Sequence, residues 1–243
     1  MICELDLGNT NCKWRMLGEN NQVTAAGKVA TKACEESLAA LHEAPSRLRI
    51  SSVAGAQTDR SIANWVAQHW QIEPEFARTL SHHGGIQIAY ADPARLGVDR
   101  WLAMLAAYRE FAGPVCVMDL GSAATVDLVD ADGQHQGGYI VPGIELQRRM
   151  LVKETGRIQA DHDVEKNTIS WGASSEECIA FGVRRMLQAF LGSIFEELEM
   201  RFANIPVCVA GGSALLALEQ DWDKIKLVER PNLVLDGLAI ALP

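Results

Sequence analysis

The sequence predicts an α/β protein built as two duplicated lobes, and three observations support this. Residues 3–10 and 117–125 each run from an apolar segment into Asp-Leu-Gly and then into small or hydroxylated residues, and a further apolar run follows. Segments with strand and helix character alternate along the chain. Gly211-Gly212-Ser213 separates a late strand-like segment from a helix-like one. Because internal repetition reports architecture, we place the lobes at 1–112 and 113–243.

In the first half, each predicted element has a local cause. Ile62, Trp65 and Val66 have helical spacing, which predicts an amphipathic helix. Pro45 ends an earlier helical segment because proline lacks the backbone N–H. The predicted elements are, in order, a strand–turn–strand unit over 3–17, a strand at 22–29, a helix at 35–41, a short buried strand at 49–54 and a helix at 61–70.

Residues 81–97 contain Gly, Pro and polar residues, and this composition predicts a loop. His82 and His83 lie in that loop, where we expect them at the surface without a role. The Ala- and Leu-rich residues 99–108 have high helix propensity, with Asp99 at the amino end. We expect this helix to connect the two halves.

The second half repeats the plan. Apolar residues from Ile179 to Leu198 recur at helical spacing and predict a long helix over 174–201, with an interruption expected at Gly192. A strand that runs into a glycine pair and a helix start is typical of an anion or nucleotide cradle. The other predicted elements are strands at 114–118 and 126–129, a turn at 130–133, a strand at 137–143, a strand at 206–210 and a helix start at 214–218.

The composition disfavours several classes of protein. Of the 243 residues, 48% are hydrophobic and 22% are charged, as in ordinary globular proteins. The net charge of −9, with thinly spread Lys and Arg, disfavours nucleic-acid binding. The amino end lacks a signal-peptide pattern and no uninterrupted apolar run approaches membrane-spanning length, so we predict a cytoplasmic protein with no membrane association. Six cysteines without a C-x-x-C pair indicate buried thiols.

The two Asp-Leu-Gly turns have a chemical consequence. Glycine lets backbone N–H groups approach a phosphate, hydroxyl groups add donors, and a carboxylate at the strand end can hold a cation. Asp and Gly are also common in turns without any function, and the duplication is what favours the functional interpretation. The pattern therefore predicts a polyphosphate held between two halves.

Four ordered motifs carry a resemblance to a known family. They are D-L-G-N-T at 6–10, G-V-D-R at 97–100, D-L-G-S-A-A-T at 119–125 and G-G-Y-I-V-P-G at 137–143. The paired hairpins and the late G-G-S resemble the actin, sugar kinase and Hsp70 superfamily, and the four motifs together resemble type III pantothenate kinase over almost the whole chain. The resemblance implies two ribonuclease-H-like lobes with an ATP cleft between them.

The implied reaction transfers the γ-phosphoryl group of ATP to the primary hydroxyl of pantothenate, which gives 4′-phosphopantothenate and begins coenzyme A synthesis. Asp99 resembles the aspartate of the family's G-x-D-R motif and is the implied general base. An ordinary helix cap is the alternative role for Asp99.

The resemblance also implies a pantothenate pocket. Arg100 would pair with the pantothenate carboxylate, although an ordinary ion pair is the alternative. Gly97 and Val98 would supply backbone contacts, and Tyr90 resembles a wall of the pocket.

The first hairpin resembles the family's first phosphate loop. Its implied ATP-binding residues are Asp6, Leu7, Gly8, Asn9, Thr10, Asn11, Cys12 and Lys13, joined by Ser122 of the second loop. Lys13 would supply a countercharge if strand alternation directs it to the loop side. Asp6 would orient Mg²⁺ or another divalent cation through water. Asp119 matches the family's ligand for a monovalent cation, which implies K⁺ or NH4⁺. Asp127 and Asp130 are treated as hairpin residues.

One segment departs from the family pattern. A family N-T-x-E-[AS] stretch, whose threonine reaches substrate, aligns with residues 174–178, which places Ser175 at the threonine. Asn167-Thr168 is a shifted alternative, and helix capping by Ser174 or Ser175 is a structural one. In the family this contact comes from the neighbouring subunit, so the resemblance implies a homodimer.

Two rival functions remain open at the level of sequence. A phosphohydrolase of the same superfamily would use water in place of the alcohol. A regulatory protein, such as a transcription accessory factor, would keep the nucleotide fold without turnover. The G-V-D-R segment with Tyr90 upstream suits an organic acceptor that carries a carboxylate, which favours the kinase over the hydrolase. Because Asp6, Asp99 and Asp119 are all present, the sequence shows no degeneration towards a regulatory protein.

Overall fold

The computed structural model describes residues 1–41, 43–154, 170–218 and 222–243. Within them the strands are β1 (Ile2–Leu7), β2 (Asn11–Leu17), β3 (Val23–Ala30), β4 (Arg47–Ser52), β5 (Glu75–Phe76), β6 (His82–His83), β7 (Ile86–Gln87), β8 (Val115–Leu120), β9 (Ala123–Val129), β10 (His135–Pro142), β11 (Ile205–Ala210) and β12 (Ile225–Glu229). The helices are α1 (Cys34–Ala39), α2 (Ala56–His69), α3 (Val98–Phe111), α4 (Ile144–Glu154), α5 (Ser175–Arg201), α6 (Leu215–Leu218) and α7 (Leu233–Ala241), with short 3-10 helices at Thr31–Ala33 and Pro93–Arg95.

The chain forms two compact units, a first and a second. The first unit contains Met1–Gly113, Val129–Gly137 and Asn232–Pro243, and the second contains Pro114–Leu128 and Gly138–Pro231. The lobe boundaries at 1–112 and 113–243 stay a prediction.

The two large sheets have the same topology, which confirms the predicted duplication. One has the strand order β3-β2-β1-β4-β5 and the other β10-β9-β8-β11-β12. β1 pairs antiparallel with β2 and parallel with β4, and β8 pairs parallel with β11. The central strands β1 and β8 are buried along most of their length, as expected for strands covered on both faces. This α/β arrangement is the ribonuclease-H-like fold that the sequence predicts.

The long helix α5 is confirmed, but the interruption expected at Gly192 is wrong. The helix continues through Gly192 to Arg201. Leu191 and Phe195, on either side of the glycine, are fully buried in the core of the second unit. Their burial outweighs the cost of about 1 kcal/mol for a glycine in a helix interior.

The loop predicted over 81–97 contains more structure than expected. β6 and β7 form a two-stranded hairpin around Gly84 and Gly85, which have φ angles of 58° and 83°. Two positive φ angles in a two-residue turn are what a type I′ hairpin requires, and glycine adopts them without strain. His83 is half-buried, and its Nε2 lies 3.1 Å from the carbonyl oxygen of Ile240.

Sequence inspection did not predict α4, β12 or α7. α7 packs against α3 in the first unit, where a Cβ at Gly237 would overlap the backbone of Leu102. The glycine therefore permits close approach of the two helices.

By length and composition, α5 also meets the criteria for a helix that could cross a membrane. Its buried side chains, including Leu187 and Leu198, pack in the core of the second unit. We therefore interpret α5 as a core helix.

Candidate functional site

The first Asp-Leu-Gly turn is closed and braced by hydrogen bonds within the first unit. The Gly8 N–H donates to the carbonyl oxygen of Asn11 at 3.0 Å. Thr31 braces the turn from the 3-10 helix that follows β3: its hydroxyl donates to the Gly8 carbonyl at 2.7 Å and its N–H to the Thr10 carbonyl at 3.0 Å. Asn9, Thr10 and Asn11 themselves are exposed. The turn is thus held by hydrogen bonds while the residues at its tip stay exposed.

Strand alternation separates the predicted ATP-binding residues into two groups. Asp6 is directly opposite Lys13 in the β1–β2 ladder, and both are half-buried. Directly opposed residues share one face of a sheet, so the carboxylate and the ammonium group lie on the same face. Leu7 and Cys12 are fully buried in the core on the other face. Only their backbone groups could therefore contact a nucleotide.

Cys12 has a buried thiol neighbour. Its Sγ lies 3.0 Å from Sγ of Cys34, and this hydrogen bond, together with burial, raises the pKa of the Cys12 thiol. All six cysteines are free thiols and only Cys178 is exposed, which confirms the expectation for most of them.

The second Asp-Leu-Gly turn is braced by backbone contacts to glycine-rich segments of the second unit. The Gly143 N–H donates to the Ser122 carbonyl at 3.0 Å, and the Ser213 N–H donates to the Leu120 carbonyl at 3.0 Å. A Cβ at Gly143 would overlap the carbonyl oxygens of Gly121 and Ser122. Two motifs that are far from this turn in sequence, 137–143 and 211–213, therefore meet it in the structure.

Gly211 has a strict requirement for glycine. Its φ is 93°, and a Cβ there would overlap the Leu120 backbone and lie 2.6 Å from Oδ1 of Asp119. The half-buried Asp119 carboxylate thus sits against a glycine backbone, and Ser122 beyond it is exposed.

The predicted base, Asp99, lies in the first turn of α3. The N-cap of α3 is Gly97, and the half-buried Asp99 carboxylate accepts a hydrogen bond from the Arg100 N–H at 2.8 Å. A Cβ at Gly97 would lie 2.6 Å from Oδ1 of Asp99, so the glycine makes room for the carboxylate. Asp99 is therefore not the N-cap residue, although its charge favours the positive end of the helix dipole.

Arg100 and Tyr90 meet within the first unit. Arg100 is 7% exposed, and its Nη1 donates to the Tyr90 hydroxyl oxygen at 3.2 Å. Val98 is also buried, which leaves its backbone for any ligand contact. The structure thus brings Tyr90, Gly97, Val98, Asp99 and Arg100 together around the start of α3.

At the start of α5, the cap is Ser174 and not Ser175. The Ser174 hydroxyl accepts from the Glu177 N–H at 3.2 Å, and the Glu177 carboxylate accepts from the Ala173 N–H at 2.9 Å. Ser175 is exposed and lines an apolar groove of about 1150 Å³ in the second unit. Asn167 and Thr168 lie outside the described residues.

The side chains of the site can be compared with the ligands that metal cations prefer. Among the described residues there is no cluster of three or more His, Cys, Asp or Glu side chains suited to a metal ion. Mg²⁺ in kinases is commonly bound by one or two carboxylates plus substrate phosphates, and a single aspartate such as Asp6 fits that pattern. The Asp119 carboxylate, against the Gly211 backbone, supplies one oxygen ligand of the kind that a hard cation prefers.

Sequence reasoning missed three contributors to these turns and pockets: Thr31, the packing role of Gly143, and His135, which stacks on Tyr90. The hydroxyl of Thr31 carries no sequence signal of its own because its partner is set by the fold. His135 follows the predicted hairpin turn at 130–133, and nothing in the pattern indicates its neighbour.

Comparisons with known proteins agree on one family. Residues 2–197 match the family model described as type III pantothenate kinase. The type III pantothenate kinase of Azotobacter vinelandii is 36% identical over 253 residues, covering 100% of this chain and 99% of the relative. That of Hahella chejuensis is 37% identical over 240 residues, covering 98% and 95%.

Solved structures support the fold alone, because their identity is low. A proposed Baf family transcriptional activator from Campylobacter jejuni has a TM-score of 0.61 at 16% identity, covering 98% of this chain and 95% of that chain. A proposed 2-dehydro-3-deoxygalactonokinase from Sinorhizobium meliloti also has a TM-score of 0.61 at 16% identity, covering 99% and 98%.

Proposed function

Because the chain belongs to the type III pantothenate kinase family, we infer that it transfers the γ-phosphoryl group of ATP to pantothenate and so begins coenzyme A synthesis. The relatives match essentially the full length of the chain, so the inference concerns the whole protein. It is a phosphotransferase that uses ATP. Phosphoryl transfer needs positioning and charge neutralisation more than covalent help from the protein.

The observation that carries this function is the pair of structurally equivalent Asp-Leu-Gly turns. Each follows the central strand of its sheet, and each is held by hydrogen bonds that leave exposed residues at its tip. In our proposal, Asn9, Thr10 and Asn11 donate to nucleotide phosphates, with Leu7 and Cys12 contributing backbone only. Gly8, whose N–H is bonded to the Asn11 carbonyl, lets the backbone approach the phosphates closely. Lys13 supplies a positive charge from the same sheet face as Asp6, and Ser122 adds a hydroxyl.

Asp99 is the proposed general base. Its carboxylate lies at the start of α3, half-exposed, where it can accept the proton of the attacking hydroxyl. The Gly97 backbone leaves room beside it. The bond from the Arg100 N–H orients one carboxylate oxygen.

The pantothenate pocket is proposed to consist of Tyr90, Gly97, Val98, Asp99 and Arg100. The planar guanidinium group of Arg100 suits a carboxylate, and its burial strengthens such a pairing. Tyr90 accepts from Arg100 and so fixes one edge of that group. Asp99 and Arg100, which are adjacent at the start of α3, would thus bind the hydroxyl and the carboxylate of pantothenate.

We assign the cations by the charges around each aspartate. Asp6 would hold Mg²⁺ or another divalent cation, and Asp119 would hold K⁺ or NH4⁺. Bound cations at these positions would neutralise charge on the transferred phosphoryl group.

We also propose a homodimer in which Ser175 reaches the neighbouring subunit's pantothenate. The support is the apolar groove beside Ser175, in which Met150 and Met186 are 50% and 65% exposed. Large exposed apolar surfaces commonly mark interfaces. A cytoplasmic location without nucleic-acid or membrane partners stays a prediction.

The activity is tested with ATP, Mg²⁺ and a panel of acceptors in K⁺ or Na⁺. We expect ADP formation that depends on pantothenate and needs K⁺. An analogue of pantothenate that lacks the carboxylate should support little ADP formation. Phosphate release from ATP at one rate with and without pantothenate would indicate a hydrolase instead.

The shared site is tested by mixing Asp99→Asn with Ser175→Ala, each of which we expect to be inactive alone. Activity is measured once the subunits of the two variants have exchanged. If Ser175 acts across an isologous interface, a mixed dimer has one intact site, and about a quarter of wild-type activity returns. No recovery, or full activity of Ser175→Ala alone, would exclude the shared site. Light scattering reports the oligomeric state of each sample.

A further inference from the structure

A buried histidine lies directly behind the proposed pantothenate pocket. The His135 ring stacks on the Tyr90 ring, with centroids 6.2 Å apart and planes 10° from parallel. His135 is 3% exposed, and its Nδ1 lies 3.4 Å from the Ala89 N–H. Since that N–H can only donate, Nδ1 is the acceptor in this contact. His135 thus touches the residue next to Tyr90 and the Tyr90 ring itself.

The turn between β9 and β10, which belongs to the first unit, positions His135. Asp130 shapes the turn, because its Oδ1 accepts from the N–H groups of Asp132 at 3.0 Å and Gln134 at 2.9 Å. Gly133 then packs so closely on the turn between β6 and β7 that a Cβ would overlap the Gly85 carbonyl. The hairpin is therefore fixed against the segment that leads to Tyr90.

Two further bonds hold that hairpin in register with its neighbours. The Gln87 N–H donates to the Gly133 carbonyl at 2.9 Å, and the Tyr108 hydroxyl of α3 donates to the Ala131 carbonyl at 3.2 Å. The support for His135 comes from two elements, and its ring has little freedom to move away from Tyr90.

A chain of contacts then runs from His135 to the guanidinium group. The His135 ring limits the tilt of the Tyr90 ring, and the Tyr90 hydroxyl accepts from Nη1 of Arg100. A ring held on one face keeps its hydroxyl in place at low entropic cost. The position of the Arg100 fork therefore depends on a residue that lies one contact away from any ligand.

We propose that His135 is a positioning residue for recognition of the acceptor's carboxylate, acting through Tyr90 on Arg100. This inference rests on the proposed function, in which Tyr90 and Arg100 bind pantothenate. The ring face of His135 carries the effect, because the 3.4 Å contact to Ala89 is long for a hydrogen bond.

Three substitutions separate the ring from the acceptor nitrogen. His135→Phe keeps an aromatic face without the acceptor, His135→Asn keeps an acceptor without the ring, and His135→Ala removes both. We expect His135→Ala and His135→Asn to raise the KM for pantothenate about 5- to 10-fold, the range of an aromatic pair, with the KM for ATP within about twofold. His135→Phe should remain near wild type. His82→Ala, at an exposed histidine of β6, is the matched control and should change neither constant.

Coupling to Tyr90 distinguishes positioning from general destabilisation. In a Tyr90→Ala background, the further effect of His135→Ala on the KM for pantothenate should disappear, because the contact through which it acts is gone. An equal effect in both backgrounds, or a matching rise in the KM for ATP, would overturn the proposal. If His135→Ala does not fold, the other two variants test the proposal. A higher KM for pantothenate in His135→Asn than in His135→Phe supports it, and equal KM values overturn it.

The same data separate this inference from the proposed function. If Tyr90→Ala leaves the KM for pantothenate unchanged, the assignment of Tyr90 to the pocket fails, and the inference fails with it. If Tyr90→Ala raises that KM and His135→Ala does not, only the inference fails.

Discussion

The two Asp-Leu-Gly turns share a topology but are stabilised in different ways. The first is braced by the side chain and backbone of Thr31, and the second by the close approach of the glycine backbones at 143 and 211. The first hairpin returns through a strand that carries Lys13 opposite Asp6, whereas β9, Ala123–Val129, contains no lysine or arginine. The charges around Asp6 and Asp119 therefore differ, although the two turns are equivalent in topology.

This difference suggests a division of labour between the turns. An aspartate opposite a lysine, beside exposed donors, suits the binding of phosphate oxygens together with a divalent cation. An aspartate against a glycine backbone, with no lysine or arginine on the returning strand, suits the monovalent cation proposed for it. Four sets of substitutions test the comparison.

The largest effect is expected from exchanging each aspartate for its amide. Asp6→Asn and Asp119→Asn should each lower kcat/KM by about 10²- to 10³-fold, since each removes a charge that holds a cation near the phosphates. They should differ in ion dependence, which steady-state kinetics over Mg²⁺ and K⁺ concentrations measures. Asp6→Asn should need more Mg²⁺ and Asp119→Asn should lose its response to K⁺. The same ion response in both variants would remove the distinction.

The second test concerns how each turn is braced. Gly211→Ala should lower the free energy of unfolding by roughly 2–4 kcal/mol, because its positive φ and its contact with the Leu120 backbone both exclude a Cβ. Gly8→Ala should cost only about 1 kcal/mol, because its Cβ would meet one carbonyl at 3.0 Å. Urea unfolding of both variants measures the difference, and equal costs would contradict the contrast between the braces.

Lys13 provides a smaller test. Lys13→Met keeps most of the side-chain stem and removes the charge, so the KM for ATP should rise about 10-fold while the KM for pantothenate stays within about twofold. Lys28→Met is the control, since Lys28 lies opposite Lys13 in the β2–β3 ladder and is not in the turn. A rise in both KM values for Lys13→Met would argue against a phosphate contact.

The smallest effect is expected at the edge of the first sheet. The hydrogen bonds and charge of Arg47 lower the pKa of the Glu75 carboxyl, so the ion pair stabilises the fold above the ordinary pKa of glutamate. That contribution is lost as the pH falls through the lowered pKa. The side chains are 30% and 40% exposed, which limits the pair to under about 1 kcal/mol.

Glu75→Gln should therefore lower the free energy of unfolding slightly at pH 7, and the difference from wild type should vanish in acid. Glu229→Gln, on the exposed end of β12 at the edge of the second sheet, is the control for replacing a strand-end carboxylate by an amide. A Glu75→Gln cost that persists at low pH would show that the ion pair is not its source.

Local sequence patterns were sufficient for the elements whose causes are local. The paired Asp-Leu-Gly hairpins and the spacing of apolar residues in α5 predicted the duplicated fold and the longest helix. Gly192 was misjudged because a glycine's helix propensity is weak beside the burial of Leu191 and Phe195. The β6–β7 hairpin was missed although its Gly-Gly turn carries a recognised hairpin pattern.

The candidate site was predictable where a motif holds adjacent residues, as at 97–100. It was not predictable where partners come from distant segments, as with Thr31, Gly143 and His135. Those contacts depend on how strands and turns pack, and a single sequence carries no record of them.

The most direct test of the account is single-turnover phosphoryl transfer by Asp99→Asn, with Asp132→Asn, at an exposed aspartate of the hairpin turn, as the control. With ATP, Mg²⁺ and K⁺ saturating, we predict that Asp99→Asn slows transfer to pantothenate by about 10²- to 10⁴-fold while ATP and pantothenate still bind. Transfer within tenfold of wild type would contradict the assignment of Asp99 as the base.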